Sequence, residues 1–189
     1  QDALNGENSR ASYRARQSLR ELTPENLIAL NHRYLLSIAG HFHELDQEAL
    51  AQITLHSMWL ATATIKQKPS LEVPEFLLHL YAKLYSNQKP AVRAAATTQL
   101  RWWHAKFKDG MKLHRKSCND PSGLVRLEAA IAASYIGTPE ALEAALDLLK
   151  HPMDPYLTYA LRTSLDSHTL QPLWKGNTAF MAKHPELEK

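Results

Sequence analysis

Four histidines in the first third of the chain could support metal chemistry: His32, His41, His43 and His56. Imidazole is a common ligand of zinc and related metals. His41 and His43 are two apart, which on a helix points them to different faces. The sequence has no HExxH motif, and no cysteine or paired carboxylates lie near these histidines at ligand spacing. We therefore expect surface or turn histidines and no bound metal.

Acid–base and nucleophilic chemistry would need carboxylates or a thiol in suitable patterns. Glu140, Glu143 and Asp147 recur at i, i+3 and i+7, which is typical of a solvated helix face rather than a catalytic pair. Cys118 is the only cysteine, so an internal disulfide is excluded, and no activating base is specified beside it. No nucleophile elbow, triad order, kinase motif or GxG phosphate loop occurs. We expect the chain to have no catalytic activity and to bind no cofactor.

The stretch RWWHAKFKDGMKLHRK, residues 101–116, interleaves basic and aromatic side chains. This pattern suits a nucleic acid backbone or stacked bases. Its alternative interpretation is structural, with Trp103 buried, Trp102 half-buried over a groove and the lysines solvated. The candidate interaction surface comprises Trp102, Trp103, Lys106, Lys108, Lys112 and His151. The net charge of +3 is too small to indicate nucleic acid by itself.

Length and composition indicate a globular protein with a sizeable core. The chain has 189 residues, of which 44% are hydrophobic and 22% charged. No apolar run approaches the ~18 residues that a membrane span needs. The sequence begins with Gln-Asp-Ala-Leu-Asn-Gly and ends with His-Pro-Glu-Leu-Glu-Lys, so we expect a segment of a larger protein.

Apolar residues recur at helical spacing almost throughout, and no segment shows the alternation of a half-buried strand. The first stripe, after the N-cap pattern Thr23-Pro24, contains Leu27, Leu30, Tyr34, Leu35, Ile38 and Phe42. Further helices are predicted after Asp46, Pro74, Pro90, Pro121, Pro139 and Pro155. The helix after Pro139 has a stripe that ends at Leu149. A helix before about residue 22 is the least marked. The predicted fold class is all-α.

A repeat is visible in this pattern. Val92 recurs as Val125 and then as Leu157, at almost equal intervals along the chain. The clearest two-helix units are residues 71–103, 108–137 and 139–167, within one predicted domain of residues 1–189. Because stacked helix pairs bury shared faces, we expect an elongated, right-handed α-α superhelix with one concave groove.

Charged residues recur in the same register. For Arg93, Arg126, Asp120 and Asp154, we expect each arginine to reach the turn aspartate of an adjacent repeat. The alternative is that these four charged side chains together bind a ligand. His151 is expected to cap the helix that precedes it, with contact to a neighbouring domain as its alternative.

The segments DPSGLVRLEAAIAAS and KPAVRAAATTQL resemble the HEAT repeat, whose second helix typically begins D-x-x-V-R-x-x-A-x-x-A-L. Asp120 and Arg126 match this pattern. Asn87 or Lys89 replaces the aspartate one repeat earlier, and Thr158 replaces the arginine one repeat later. The resemblance covers about residues 71–167 and implies a HEAT/armadillo-like superhelix that docks other proteins or domains.

A narrower resemblance is to the repeat region of large exported bacterial proteins that join a sugar-dehydrogenase-like propeller, HEAT repeats and a c-type cytochrome domain. It rests on the order V-R-L-E-A, H-P-x-D-x-Y-L-x-Y-x-L and P-x-W, matched here from Val125 to Trp174. The resemblance implies a periplasmic or exported scaffold within a haem-containing parent. The alternatives are a free-standing cytoplasmic adaptor and a nucleic-acid-binding α-solenoid of the DNA glycosylase type.

Overall fold

A computed structural model describes residues 13–14, 17–19 and 21–188. Most of the predicted helix before residue 22 lies outside these residues. The chain divides into two compact units, Gln1–Tyr81 and Ala82–Lys189. The described residues form helices and turns without a strand, and none of their helices is long and apolar enough to cross a membrane. The predicted single domain of residues 1–189 stays a prediction.

The N-terminal unit contains α1 (Pro24–Ala39), α2 (Gln47–Gln67) and most of α3 (Glu75–Leu84). The predicted N-cap at Thr23 is confirmed, and Asp46 caps the helix predicted to follow it. The Thr23 hydroxyl accepts a hydrogen bond from the Asn26 amide, and the Asp46 carboxylate accepts one from the Ala49 amide at 2.7 Å. These caps satisfy amides that the first helical turn cannot pair internally, so both helices begin where the sequence predicts.

The buried stripe of α1 differs from the predicted one at several positions. Leu30 is 40% exposed, whereas Ile28 and Asn31 are buried. The Asn31 side-chain amide donates to the Ser57 carbonyl and to the Tyr81 hydroxyl, each at 3.0 Å. A buried amide is stable here because these partners replace water, which apolar periodicity cannot foresee.

The C-terminal unit continues the helices from Pro90 onwards. They are α4 (Pro90–Trp103), α5 (Gly110–Cys118), α6 (Gly123–Ile136), α7 (Pro139–Leu146), α8 (Pro155–Leu165), α9 (Gln171–Trp174) and α10 (Thr178–Lys183). Short 3-10 helices occur at Asp147–Lys150 and Pro185–Glu188. Pro90, Pro139 and Pro155 occupy first-turn positions, where a missing amide hydrogen costs no helical bond.

These helices form two layers. In one layer α6 packs between α4 and α8, and in the other α5 packs beside α7. Ala129, Ala130, Ala132 and Ala133 are completely buried on α6, and their small side chains let the neighbouring helices approach closely. The predicted fold class, all-α with stacked helical repeats, is confirmed for the described residues.

The predicted register of the α4–α6–α8 layer is accurate, since Val92, Val125 and Leu157 are all buried. The predicted stripe of α7 is wrong at its end. The α-helix stops at Leu146 and a 3-10 turn follows, so Leu148 is buried and Leu149 is 41% exposed. The tighter winding of a 3-10 helix, with three residues per turn, shifts which leucine faces the core.

Two glycines permit the turns between layers. A Cβ atom at Gly110 would lie 1.9 Å from the His104 carbonyl oxygen, so the start of α5 can approach the end of α4 only without a side chain. Gly137 ends α6 in the left-handed conformation with φ of 67°, and its amide donates to the Ala133 carbonyl. This is the usual glycine termination of an α-helix.

His114 is a buried polar residue that the sequence interpretation missed. Its side chain is completely buried, and Nε2 lies 3.0 Å from the Ala129 carbonyl oxygen. Nε2 is therefore the protonated nitrogen of a neutral ring, while Nδ1 is buried without a hydrogen-bond partner. Burial lowers the pKa of His114 to about 4. Cys118, 3.7 Å away, is buried as predicted, and burial raises the pKa of its thiol above the usual range.

We expect His114 to make the protein less stable in mild acid. The unfolded chain takes up the proton near pH 6.5, and the folded chain only near pH 4. The free energy of unfolding should therefore be highest above pH 6.5 and fall by about 3 kcal/mol between pH 6.5 and 4. Urea titrations across this range measure the slope. His114→Gln keeps an amide donor for Ala129 and should flatten it, whereas His41→Gln, at an exposed position, should not.

Candidate interaction surface

The repeats are joined by an ion pair between Arg93 and Asp120. The Arg93 guanidinium donates to both carboxylate oxygens, at 2.7 and 2.8 Å, and also to the Asn87 carbonyl at 2.7 Å. Burial alone would raise the pKa of Asp120, but the hydrogen bonds from Arg93 and from the Ser122 amide outweigh it and lower the pKa. The predicted reach of Arg93 to an adjacent turn is confirmed.

The same expectation is wrong for Arg126. Its guanidinium donates to three backbone carbonyls, those of Asp120 at 2.8 Å, Pro121 at 3.1 Å and Pro152 at 3.0 Å. The Asp154 carboxylate instead caps α8, accepting from the Leu157 amide at 2.8 Å. Arg126 therefore bridges adjacent turns through carbonyl dipoles, because the cap position already uses the aspartate.

The turn that follows α7 holds a polar cluster. Asp147, predicted on a solvated face, has a side chain only 13% exposed and pairs with Arg115 and Lys150. His151 occupies the C-cap of the preceding 3-10 helix, as expected, where its backbone amide donates to the Leu148 carbonyl. Its side chain does not contribute to this cap, because Nε2 lies 2.9 Å from the Asn119 side-chain oxygen. Both groups therefore connect the α7–α8 turn to the end of α5.

The two glutamates predicted beside Asp147 on the same solvated face lie on α7. Glu140 is exposed, as the sequence predicts. Glu143 pairs with His184, at 3.2 Å between Oε2 and Nε2. The three carboxylates therefore belong to separate environments.

The four N-terminal histidines do not converge. His41 and His43 are exposed, while His32 and His56 lie beside the aromatic rings of Phe76 and Trp59. Among the residues that the structure describes, no group of three or more His, Cys, Asp or Glu side chains could hold a metal ion.

The basic-aromatic stretch 101–116 is divided between the two layers. Trp103 is completely buried beside Phe107, whereas Trp102 is half-buried at the end of α4. Lys106 is half-buried and Lys108 exposed in the following turn. Lys112 lies on α5 and pairs with Asp109 at 2.7 Å. The lysines of the stretch therefore do not lie on the helix that carries its two tryptophans.

We expect no specific nucleic acid binding by this stretch. A protein that contacts ~6 phosphates loses roughly a thousandfold in affinity between low and moderate salt. Titration of a labelled oligonucleotide across a salt series should show only weak association that vanishes near physiological ionic strength. Submicromolar binding at that salt, abolished by Lys106→Glu with Lys112→Glu, would contradict this expectation.

One exposed surface of the C-terminal unit is unusually apolar. It lies on the α4–α6–α8 layer, and its tyrosines Tyr135, Tyr156 and Tyr159 are 58%, 80% and 72% exposed. We call it the aromatic face and define it by Trp102, Leu124, Leu127, Ile131, Tyr135, Tyr156 and Tyr159. Monomeric proteins rarely expose contiguous apolar surface of this kind without a binding role.

Helical spacing and the repeat register place these residues on one face. Leu124, Leu127, Ile131 and Tyr135 follow one another at steps of three and four on α6. Tyr156 stands one repeat after Leu124, and Tyr135 stands one repeat after Trp102. Equivalent positions of stacked repeats point the same way, so the three helices present one continuous surface.

A stacked arginine connects α4 to α6 at this face. The Arg101 guanidinium carbon lies 5.0 Å from the centre of the Trp102 ring and 4.6 Å from that of Tyr135. Glu128 lies 3.8 Å from the same guanidinium and accepts a hydrogen bond from Thr98 at 2.8 Å. Cation–π contacts and this carboxylate hold Arg101 in place, so its charge is already compensated.

The opposite layer has a different composition. The exposed and half-buried positions of α5 and α7 carry Lys112, Arg115, Lys116, Glu140 and Glu143. The α5–α7 layer therefore carries more exposed charge than the aromatic face, beside which Arg162 is exposed on α8.

The sequence interpretation identified Trp102 but missed the three tyrosines of the aromatic face. For two of them a signal was available in the stripe of α8. Burial of Leu157 and Ala160 assigns the inner side of this helix, so Tyr156 and Tyr159 must lie on its outer side.

Comparison with known proteins agrees with this architecture. Residues 77–166 match the family model of HEAT repeats, which agrees with the stacked helix pairs of this part of the chain. No curated protein and no solved structure matches the chain.

Proposed function

We propose that the chain is a non-catalytic scaffold that docks a partner protein or another domain of its parent through the aromatic face. HEAT-repeat regions commonly mediate protein interactions, and the composition of this face supports the same role here. The observation that carries the proposal is the exposure of Tyr135, Tyr156 and Tyr159. The charges of Arg101 and Glu128 on the same layer pair with each other.

Interface energetics favour this assignment. The cores of protein interfaces are poor in Lys, Glu and Asp, and rich in Tyr, Trp and Arg. A few such residues supply most of the binding energy. Tyrosines add a further advantage, since a rigid ring loses little conformational entropy when it is covered.

The wider context of the proposal rests on the narrower sequence resemblance. This resemblance implies an exported parent protein with redox domains. In such a protein the scaffold would hold a propeller domain and a c-type cytochrome domain at fixed positions relative to each other. The scaffold itself would then bind no haem, and a haem absorbance band in the purified 189-residue chain would contradict this part. A coding sequence without an upstream signal peptide or a downstream CxxCH motif would contradict the parentage.

Site-specific photo-cross-linking tests the docking role. A benzophenone amino acid replaces Tyr156 or Tyr159 on the aromatic face, or Lys112 or Lys150 on the opposite side, in the protein produced by its native cells. We expect one recurrent product at the two tyrosine positions, identified by mass spectrometry as the same protein or domain, and none at the lysine positions. Equal cross-linking at all four positions, or none at the tyrosines, would contradict the proposal.

A further inference from the structure

The helix α5 packs against its neighbours without burying a large apolar side chain. Its buried residues are Gly110, His114, Ser117 and Cys118. The other helix of its layer, α7, buries two leucines and three alanines. Parts of a fold with few buried apolar contacts open most readily. We therefore expect α5 to separate from its neighbours at a lower free-energy cost than the helices of the α4–α6–α8 layer.

His114 provides the central contact of α5. It lies in the middle of the helix, its side chain is completely buried, and Nε2 donates to the Ala129 carbonyl of α6 at 3.0 Å. Nδ1 is also buried, and within residues 21–188 it has no hydrogen-bond partner. A protonated imidazole donates from both nitrogens, so the charged ring would bury a second N–H group without an acceptor. The contact between α5 and α6 therefore requires the neutral ring.

The groups around His114 do not compensate a positive charge. Burial lowers the pKa of His114 to about 4, and His104 at the end of α4 and Arg115 on α5 lower it further. The other charged side chains of α5 and of the helices packed against it are exposed or engaged elsewhere: Arg93 with Asp120, Arg101 with Glu128, Lys112 with Asp109, Lys116 with Ser86, Arg126 with turn carbonyls, Glu143 with His184, Asp147 with Arg115 and Lys150, and Glu140 exposed. In a released helix the ring would take up its proton near pH 6.5.

Cys118 lies at the same contact, one turn after His114. Its Sγ atom is 3.7 Å from His114 Nε2, and the side chain is completely buried. It is the single cysteine of the chain. Its reactivity therefore reports whether α5 is packed or released.

We propose that α5 is an acid-released helix: protonation of His114 detaches it from α6 and uncovers Cys118, while α4, α6 and α8 stay folded. This inference does not depend on the docking function, because the aromatic face lies on the other helix layer.

Labelling of Cys118 with dithiodipyridine tests the proposal, because this disulfide reacts with thiols in mild acid as well as at neutral pH. The rate for the whole 189-residue chain is divided at each pH by the rate for the urea-unfolded chain. This ratio removes the pH dependence of the thiol itself. The opened state binds one proton more than the closed state, so the ratio should rise about twentyfold between pH 7 and 5.

Two variants assign the effect to His114. His114→Gln keeps an amide donor for the Ala129 carbonyl but cannot take up a proton, so its ratio should change less than about twofold over the same range. His168→Gln removes an exposed histidine in the turn after α8 and should keep the wild-type rise. A wild-type ratio that stays constant between pH 7 and 5, or a twentyfold rise that persists in His114→Gln, would overturn the proposal.

Hydrogen–deuterium exchange of the wild-type chain separates local release from unfolding of the whole unit, and it decides this point even if His114→Gln does not fold. At pH 5 the amides of α5 should be protected at least about tenfold less than those of α6 and α8. Labelling of Cys118 should also depend less steeply on added urea than global unfolding does, because the release of one helix exposes less surface. Equal protection of α5, α6 and α8 would show that α5 opens only with its neighbours, which contradicts the proposal.

Discussion

Ala129→Glu should unfold α4, α6 and α8 together. Ala129 is completely buried at the centre of α6, which packs between the other two helices of its layer. A buried, unpaired carboxylate costs several kcal/mol, and the glutamate side chain also exceeds the space of a methyl group. Because each surface between repeats is shared, the loss should spread to both neighbours.

Hydrogen–deuterium exchange measures this spread directly. Amides of α4 and α8 should lose protection together with those of α6, and Val125→Asp and Leu161→Asp should act in the same way. Leu124→Glu introduces the same charge on the same helix at an exposed position and should leave exchange unchanged. A wild-type melting curve for Ala129→Glu would show that the register of α6 is wrong.

Asp120→Ala should cost about 3 kcal/mol of unfolding free energy. The change leaves the Arg93 guanidinium, 13% exposed, without its bidentate carboxylate partner, and it removes the acceptor of the Ser122 amide. Breaking a buried pair from one side is costly because the remaining charge stays desolvated. Urea unfolding at neutral pH measures the loss.

A double-mutant cycle isolates the contribution of the pair. Arg93→Ala with Asp120→Ala should cost clearly less than the sum of the two single changes. Lys112→Ala, which removes an exposed ion pair with Asp109, should leave the urea midpoint close to that of wild type. Additive single and double changes would mean that Arg93 and Asp120 do not stabilise the repeat junction through each other.

The helices could be predicted because local chemistry determines them. Thr23 and Asp46 cap α1 and α2, and Pro90, Pro139 and Pro155 occupy the first turns of α4, α7 and α8. Apolar spacing on α4, α6 and α8 then identifies the buried side of each helix. These are interactions within one turn or one stripe, which a single sequence contains in full.

The remaining features depend on partners distant in sequence. Asn31 and His114 are buried because Ser57, Tyr81 and Ala129 supply their hydrogen bonds. The repeat register alone predicts an ion pair between Arg126 and Asp154. The Arg126 guanidinium instead donates to backbone carbonyls of the turns. The tyrosines of the aromatic face are equally hard to predict, because exposure of an aromatic residue is defined only when its helix has found its neighbours.

Tyrosine reactivity in the native protein tests the docking role of the aromatic face most directly. The isolated 189-residue chain and the protein in its native cells are treated with the same tyrosine-selective reagent, and modification is measured for each peptide. If the face is covered by a partner, Tyr156 and Tyr159 should be modified readily in the isolated chain and strongly protected in cells. In parallel samples treated with a lysine-selective reagent, labelling of Lys112 and Lys150 should be the same in the isolated chain and in cells. Equal modification of Tyr156 and Tyr159 in the two samples would contradict the docking function.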